Sequence, residues 1–249
     1  MNDWRELDTA RLCVGATGWG VSVAVIDSGW DRTQEAPAVG AGAAFLPTPD
    51  GRCVQSADDD DRMGHGTACA DIVIGHAPAA EVMPVRIFAR GLTTTPACAI
   101  AAIGFALERG AKVINLSFST DLPEALPALY HVCERARRAG AILVAAHEDE
   151  GETNYPSCFE NVLSVGAAEF AQPSRIAFRP NGVPECRANG ERQSLLWRLG
   201  QRRIGRGSSY AAAHMSGIIA RLVEREQGLT LESLRERLAL AVEDAGVWG

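Results

Sequence analysis

The chain has 249 residues, which is longer than the ~100–150 most common for one domain but within the range of a single large α/β domain. Apolar residues make up 47% and charged residues 22%, which excludes whole-chain disorder, a collagen-like repeat and a coiled-coil rod. The net charge of −7 disfavours nucleic acids and anionic membranes as partners, because both are bound by basic surfaces. We therefore expect one domain over residues 1–249, with no nucleic-acid or membrane partner.

The cysteines and the first residues indicate a cytoplasmic protein. The seven cysteines are an odd number and include no C-x-x-C pair, so no metal knuckle is indicated. Residues 1–11 have neither the basic start nor the apolar stretch of a signal peptide, and no pro-segment is evident before the first predicted strand. Mostly reduced thiols fit the cytoplasm. We expect no metal and no other cofactor.

Short apolar runs rich in β-branched residues recur along the chain and predict strands that are buried on both faces. They lie at 21–26, 82–88, 113–118, 142–146 and 162–167. The clearest helix between them is predicted at 96–109. Thr95 is its candidate N-cap, Pro96 falls in the first turn and Gly110 follows its end.

The second half of the chain continues the alternation. A helix is predicted from near Pro123 to just before Gly140, and a final helical pair at 209–226 and 231–241. Residues 179–206 are the least regular and predict loops with a hairpin. Strands that alternate with helices imply βαβ crossovers, so the sequence predicts an α/β fold of three layers, α/β/α, with a mostly parallel central sheet. Ligands of such sheets bind at the carboxyl ends of the strands.

Three short segments place reactive side chains at predicted strand ends or helix starts. Asp27 directly follows a buried strand, His65 stands between two glycines before a run of small residues, and Ser209 opens a helix. Alone, each has an ordinary structural interpretation: a turn carboxylate, a packed histidine and a helix cap. Together they supply an orienting acid, a base and a nucleophile, which is the chemistry of acyl transfer.

At these segments the sequence resembles the subtilisin-like serine proteases. The signature blocks of that family stand here as VAVIDSG, GHGT and GSSYAAAHMSG, and the resemblance extends through VINLSF and ILVAA over residues 20 to 227. It implies a subtilisin-like fold in which Asp27 orients the imidazole, His65 is the general base and then acid, and Ser209 is the nucleophile. It further implies a Cys69 that packs beneath the histidine, as in the proteinase-K-like branch.

The same resemblance implies where a peptide substrate binds. The substrate would lie as an added strand beside Leu116, Ser117 and Phe118, and Ala145 and Glu148 would border the pocket for the residue before the scissile bond. The family usually has glycine where Ser119 stands, so the shape of that pocket is expected to differ. A carboxylate at Glu148 favours Lys or Arg there, although a solvated surface acid is nearly as good an interpretation.

The main departure from the family concerns the oxyanion hole. The family motif has an asparagine amide as donor where this chain has Asp149, and an ionised carboxylate accepts hydrogen bonds but cannot donate them. Acidic neighbours could keep Asp149 protonated, which predicts activity that rises as the pH falls. Alternatively, Asn154 could supply the amide.

Several other residues have mainly structural interpretations. The acidic run 58–61 lacks the spacing of a calcium loop and is expected to be a solvated turn. His147 has no second histidine at metal-ligand spacing, and His214 is expected to pack within its helix pair. The glycines at 15–20 precede a strand, so they do not form a dinucleotide-binding loop.

The sequence is compatible with two functions from different classes. The first is a serine endopeptidase that cuts a dedicated intracellular peptide or protein, such as the leader of a modified peptide precursor. The second is a catalytically impaired scaffold of the same fold that holds an extended peptide without cutting it, because Asp149 replaces the oxyanion donor.

Overall fold

The computed structural model describes residues 3–89, 91–148 and 153–247. In this part of the chain the strands are β1 (Arg5–Asp8), β2 (Ser22–Asp27), β3 (Ala43–Pro47), β4 (Cys53–Ser56), β5 (Glu81–Arg86), β6 (Val113–Leu116), β7 (Ile142–Ala146), β8 (Leu163–Ala168), β9 (Arg175–Phe178), β10 (Cys186–Asn189), β11 (Gln193–Leu196) and β12 (Arg202–Gly205). The α-helices are α1 (His65–His76), α2 (Pro96–Glu108), α3 (Leu126–Arg138), α4 (Ser208–Arg225) and α5 (Leu231–Val247). None of these helices is both long and apolar enough to cross a bilayer.

The centre of the main sheet is parallel. Its strand order is β1-β9-β10-β8-β7-β6-β2-β5-β3-β4, and the five strands from β8 to β5 run in the same direction. These are the five strands predicted from the apolar runs, each within two residues of its predicted ends. Antiparallel pairs lie only toward the edges of the described sheet, where β9 pairs with β1 and β10, and β3 pairs with β4.

Alternate residues of the central strands enter two separate cores. In β2, Val23 and Val25 pack with α1, α4 and α5 on one face, whereas Ala24 and Ile26 pack with α2 and α3 on the other. A strand covered on both faces has no polar side, which explains why the sequence reads as continuous apolar runs. The predicted three-layer α/β/α fold is confirmed.

The ends of the helices follow the predicted capping chemistry. The Thr95 hydroxyl accepts a hydrogen bond from the amide of Cys98 at 3.4 Å and caps α2, and Pro96 is the first residue of that helix. The helix predicted to start near Pro123 begins with a short 3₁₀ turn before α3. The hairpin predicted within 179–206 is present as the antiparallel pair of β11 and β12.

Five of the described strands were not predicted: β1, β3, β4, β9 and β10. Each is only four or five residues long, and β1 and β4 have mostly exposed side chains. A short strand at a sheet edge carries little hydrophobic periodicity, because its pairing is made with a distant part of the chain. For example, Arg5 of β1 pairs with Phe178 of β9.

The acidic run before α1 is only in part the solvated turn that the sequence predicts, because two of its four carboxylates are buried. Asp59 is buried, forms an ion pair with Arg32 and accepts a hydrogen bond from Arg32 Nε at 2.8 Å. Asp61 is fully buried and accepts hydrogen bonds from the amides of Gly64 and Thr67 at 2.8 and 2.9 Å. These contacts fix the entry into α1, and they use the carboxylate oxygens that a calcium ion would need.

A pair of histidines joins α1 to α4. His76 Nε2 lies 2.8 Å from His214 Nδ1, and His214 Nε2 lies 3.0 Å from the amide oxygen of Gln193 in β11. Because that oxygen can only accept, His214 donates to Gln193 and His76 donates to His214. Burial lowers the pKa of His76 to about 4 and that of His214 to about 3, with smaller contributions from nearby positive charge. His214 therefore packs between the helices as predicted, and it is also the middle residue of a hydrogen-bonded chain from His76 to Gln193 that is neutral at physiological pH.

This pair predicts a proton-linked loss of stability in acid. Free histidine titrates near ~6.5, so between about pH 7 and pH 5 the unfolded chain takes up protons that the folded pair does not, and the free energy of unfolding falls as the pH drops. His76→Gln removes one of these protons. Urea denaturation across the window should show a slope against pH that is shallower by up to about 1.4 kcal/mol per pH unit. The exposed His131→Gln is the matched control, and an equal change there would contradict the assignment.

Candidate active site

The site is built where β2 ends and α1 begins. Asp27 is the last residue of β2 and is fully buried, and His65 is the first residue of α1. His65 Nδ1 lies 2.8 and 2.9 Å from the two carboxylate oxygens of Asp27. This contact joins two residues that are distant in sequence, and it fixes the ring so that Nε2 is the nitrogen left for chemistry.

Two glycines allow the backbone to approach closely enough for this contact. A Cβ on Gly66 would lie 2.4 Å from the carbonyl oxygen of Gly29, and the Gly66 amide donates to Ser28 Oγ at 2.8 Å. Gly64 adopts φ of 104°, a left-handed conformation, and a Cβ there would lie 2.4 Å from the ring of Trp197. Both glycines that flank His65 are therefore required by sterics.

The N-terminus of α4 brings Ser209 to the same place. Ser209 is the second residue of α4, and its carbonyl oxygen lies 3.9 Å from Cys69 Sγ in α1. The ring of the next residue, Tyr210, packs on the His65 ring with 5.2 Å between centroids. Ser209 is half-buried, and among the described residues its hydroxyl makes no hydrogen bond to His65.

The electrostatics of the buried pair favour an ionised Asp27. Burial acts to raise the pKa of Asp27, but the charge and hydrogen bond of His65, together with hydrogen bonds from Ser117 and the Ser28 amide, outweigh it and hold that pKa below its ordinary value. Burial acts to lower the pKa of His65, but the Asp27 charge dominates and raises it well above its ordinary value. The pair therefore favours a protonated imidazole once a proton arrives.

Cys69 lies directly beneath the histidine, as the spacing of four residues predicts. Its Sγ is 4.0 Å from His65 Nδ1 and 3.9 Å from Ser117 Oγ. Burial raises the pKa of the Cys69 thiol to about 11, with the Asp27 charge as the next cause. Asp27, His65 and Cys69 form the one group in the described residues with metal-ligand donors within 4.8 Å of one another. However, the thiol is protonated and Nδ1 is held by Asp27, so these donors are poorly suited to a metal.

The predicted substrate-binding residues fall into two groups. Leu116 and Ala145 are paired across β6 and β7 and are fully buried, so their side chains cannot contact a substrate, although their backbone ends at the rim of the sheet. Ser117 is nearly buried, whereas Phe118 is partly exposed and helps to line a recess of about 60 Å³. Glu148 is exposed.

Of the two candidates for the oxyanion donor, only Asn154 lies within the described residues. Asp149 lies outside the described residues. Asn154 is nearly buried, and its amide oxygen lies 2.5 Å from the hydroxyl of Ser157, which in turn lies 3.0 Å from His147 Nδ1. The hydroxyl has one proton, so donation to Asn154 implies that His147 donates to Ser157. The carbonyl end of the Asn154 amide is thus held, which leaves its NH₂ group as the donating end.

The packing of Cys69 predicts low reactivity of its thiol. Because the side chain is fully buried and its pKa is about 11, iodoacetamide at neutral pH should leave Cys69 unmodified in the folded protein while it modifies the partly exposed Cys158. Peptide mass spectrometry after a short labelling pulse measures both sites at once. Labelling of Cys69 at the rate of Cys158 would show that the thiol is not packed beneath the ring.

Comparison with known proteins identifies the family. Residues 18–247 match the Subtilase family. Subtilisin E of Bacillus subtilis (strain 168) is 28% identical over 240 residues, which cover 90% of this chain and 61% of that protein, and the subtilisin of Bacillus pumilus is 28% identical over 240 residues, with 90% and 84% covered. An intracellular serine protease of Paenibacillus polymyxa is 27% identical over 225 residues, with 82% and 66% covered.

A solved structure shares the fold. The crystal structure of a cold-adapted subtilisin-like serine proteinase superposes with a TM-score of 0.69 at 20% identity, over 89% of this chain and 82% of that one. The chain thus spans less than two thirds of subtilisin E but most of this structural relative. Because the match to the family covers nearly the whole chain, this protein belongs to the subtilase family.

Proposed function

We propose that this chain is a serine endopeptidase in which Asp27, His65 and Ser209 form the catalytic triad. The observation that carries the proposal is the buried contact of His65 Nδ1 with both carboxylate oxygens of Asp27, at the point where the N-terminus of α4 delivers Ser209. A histidine oriented by a buried acid beside a half-buried serine is the arrangement that acyl transfer requires. The family membership supports the same assignment.

The proposed mechanism assigns one task to each side chain. His65 Nε2 takes the proton of the Ser209 hydroxyl as the oxygen attacks the scissile carbonyl, while Nδ1–H donates to Asp27. The buried carboxylate stabilises the imidazolium that forms, and His65 then gives the proton to the leaving amine. Water repeats the sequence in reverse to release the acyl group from Ser209. The oxyanion is held by Asp149 in its protonated form or, alternatively, by the amide of Asn154.

We further propose limited processing of a dedicated peptide or protein in the cytoplasm, such as leader removal from a modified precursor, by a single domain over 1–249. An oxyanion donor that must stay protonated would limit the rate, since loss of one donor costs ~10²–10³ in rate. All seven cysteines are free thiols, which suits a reducing compartment. One of the similar proteins is named as an intracellular serine protease.

A fluorophosphonate probe separates this function from the competing one, a non-cutting peptide-binding scaffold. The probe should label the protein covalently, and Ser209→Ala should abolish the labelling because the reacting oxygen is gone. Ser208→Ala is the matched control, since it removes the neighbouring hydroxyl at the start of the same helix, and it should still be labelled. Absence of labelling at every pH from acid to alkaline would support the scaffold.

The pH dependence of peptide cleavage tests the oxyanion donor. Activity should rise with pH as His65 loses its proton, through a pKa above its ordinary value. If Asp149 must be protonated, activity should fall again at higher pH, which gives a bell-shaped profile. Asp149→Asn should then remove the falling limb and be at least as fast at neutral pH.

The alternative donor makes the opposite prediction. An unchanged profile in Asp149→Asn, together with loss of activity in Asn154→Ala, would assign the role to Asn154. Initial rates on a quenched peptide, with the fluorophosphonate titration as a count of active sites, keep the rate per site comparable between the variants.

A further inference from the structure

Although the net charge of the chain is negative, one segment of it is strongly basic. Residues 192–206, which comprise β11, β12 and their connection, contain five arginines and no aspartate or glutamate. We call this segment the basic hairpin. Its arginines are exposed or partly exposed: Arg192, Arg198, Arg202, Arg203 and Arg206. In a chain of net charge −7, this segment is a local excess of positive charge that would attract a group of opposite sign.

The basic hairpin is fixed next to the catalytic histidine. The ring of Trp197, at its turn, fills the space that a side chain on Gly64 would need, and Gly64 directly precedes His65. The Leu199 amide donates to Asp31 Oδ2 at 2.5 Å. Arg198 Nη1 donates to the carbonyl of Arg62 at 3.2 Å. The turn is therefore docked on the segment that leads into α1 and does not hang free in solvent.

Two of its guanidinium groups lack a carboxylate partner among the described residues, and one of them is held in position. Arg203 lies over the ring of Trp197 with 5.0 Å to the ring centre, a stacked position that restricts its rotamers. Arg206 stands three residues before Ser209 on the same strand-to-helix connection. Among the described residues neither has a carboxylate oxygen within 4.0 Å, whereas Arg202 has Asp71 at 4.0 Å. A guanidinium that is held but unpaired can bind an added carboxylate bidentately at little entropic cost.

The chemistry of the reaction decides which part of a substrate meets these groups. His65 delivers its proton to the leaving amine, so the segment released as the amine product must pass the imidazole. The acyl segment is expected on the other side, along the end of β6 at Ser117 and Phe118. Because Trp197 packs at Gly64, the residue before His65, the basic hairpin lies next to the residue whose imidazole the leaving segment must pass.

We propose that the basic hairpin binds acidic side chains of the substrate on the leaving-group side of the scissile bond, through Arg203 and Arg206. This inference rests on the proposed function, because it takes the positions of the two product segments from the triad chemistry. It names a substrate class: peptides with Asp or Glu within the first few residues after the cleavage site. Charge at such a rim raises the association rate and sets the register of binding more than it raises affinity.

Peptides of equal charge and composition provide the test. Two quenched peptides have the same residues next to the cleavage site. They differ only in whether a pair of aspartates follows or precedes that site. We expect kcat/KM to favour the peptide with aspartates after the site by roughly fivefold at low salt, the size expected of one or two rim ion pairs. The preference should shrink as the salt concentration rises.

Binding to the Ser209→Ala variant separates failure of this inference from failure of the proposed function. Fluorescence anisotropy of the same two peptides, labelled at one end, requires no cleavage. Suppose that the wild-type protein cleaves neither peptide and that Ser209→Ala binds the isomer with aspartates after the site more tightly. This result would overturn the endopeptidase and keep the basic hairpin. Equal binding and equal cleavage of the two isomers would overturn the basic hairpin and keep the endopeptidase.

Charge reversal locates the effect on the hairpin. Arg203→Glu with Arg206→Glu should abolish or invert the preference between the isomers, and Arg203→Gln with Arg206→Gln should reduce it if the reversed variant folds poorly. Arg11→Glu, on an exposed loop after the edge strand β1, is the matched control and should keep the preference. A preference that survives both hairpin variants, or that is lost equally in the control, would show that these two arginines do not read the substrate.

Discussion

The candidate active site of this protein is organised around one buried contact, that of Asp27 with His65. A carboxylate without solvent is tolerated only where hydrogen bonds and an opposite charge compensate for the lost hydration. Here the compensation comes from a residue of a different element, so the contact ties the end of β2 to the first residue of α1. The same pair that stabilises the junction fixes the tautomer of the ring, which is the condition for His65 to act as a base.

The surrounding structure removes alternatives to that contact. Gly66 lets the backbone of α1 approach Gly29, and the buried Asp61 holds the amides that precede and begin the helix. The packed Cys69 and the ring of Tyr210 leave the imidazole little freedom to rotate. Catalytic groups need such support because a displacement of about an ångström can cost ~10²-fold in rate.

Charge is distributed unevenly around this centre. Before α1, the buried carboxylate of Asp59 forms an ion pair with Arg32. Arginines are instead concentrated on the hairpin that packs at Gly64. A net charge summed over the sequence averages these regions, so it does not report the local excess of arginines on the hairpin. The position of a charge relative to the reacting bond matters more for recognition than the total.

The sequence by itself determined the central sheet and pointed to the three residues proposed for the catalytic triad. Apolar runs such as 142–146 indicate strands that are buried on both faces. The short blocks around Asp27, His65 and Ser209 are family signatures that can be recognised from neighbouring residues alone. Only the tertiary structure decided which short segments become edge strands, that Asp59 and Asp61 are buried, that Leu116 and Ala145 face the core, and that Trp197 packs on Gly64. The physical reason is that periodicity and capping are local properties of the chain. Edge pairing, buried ion pairs and hairpin docking instead join residues that are distant in sequence and are stable only once the rest of the fold has formed.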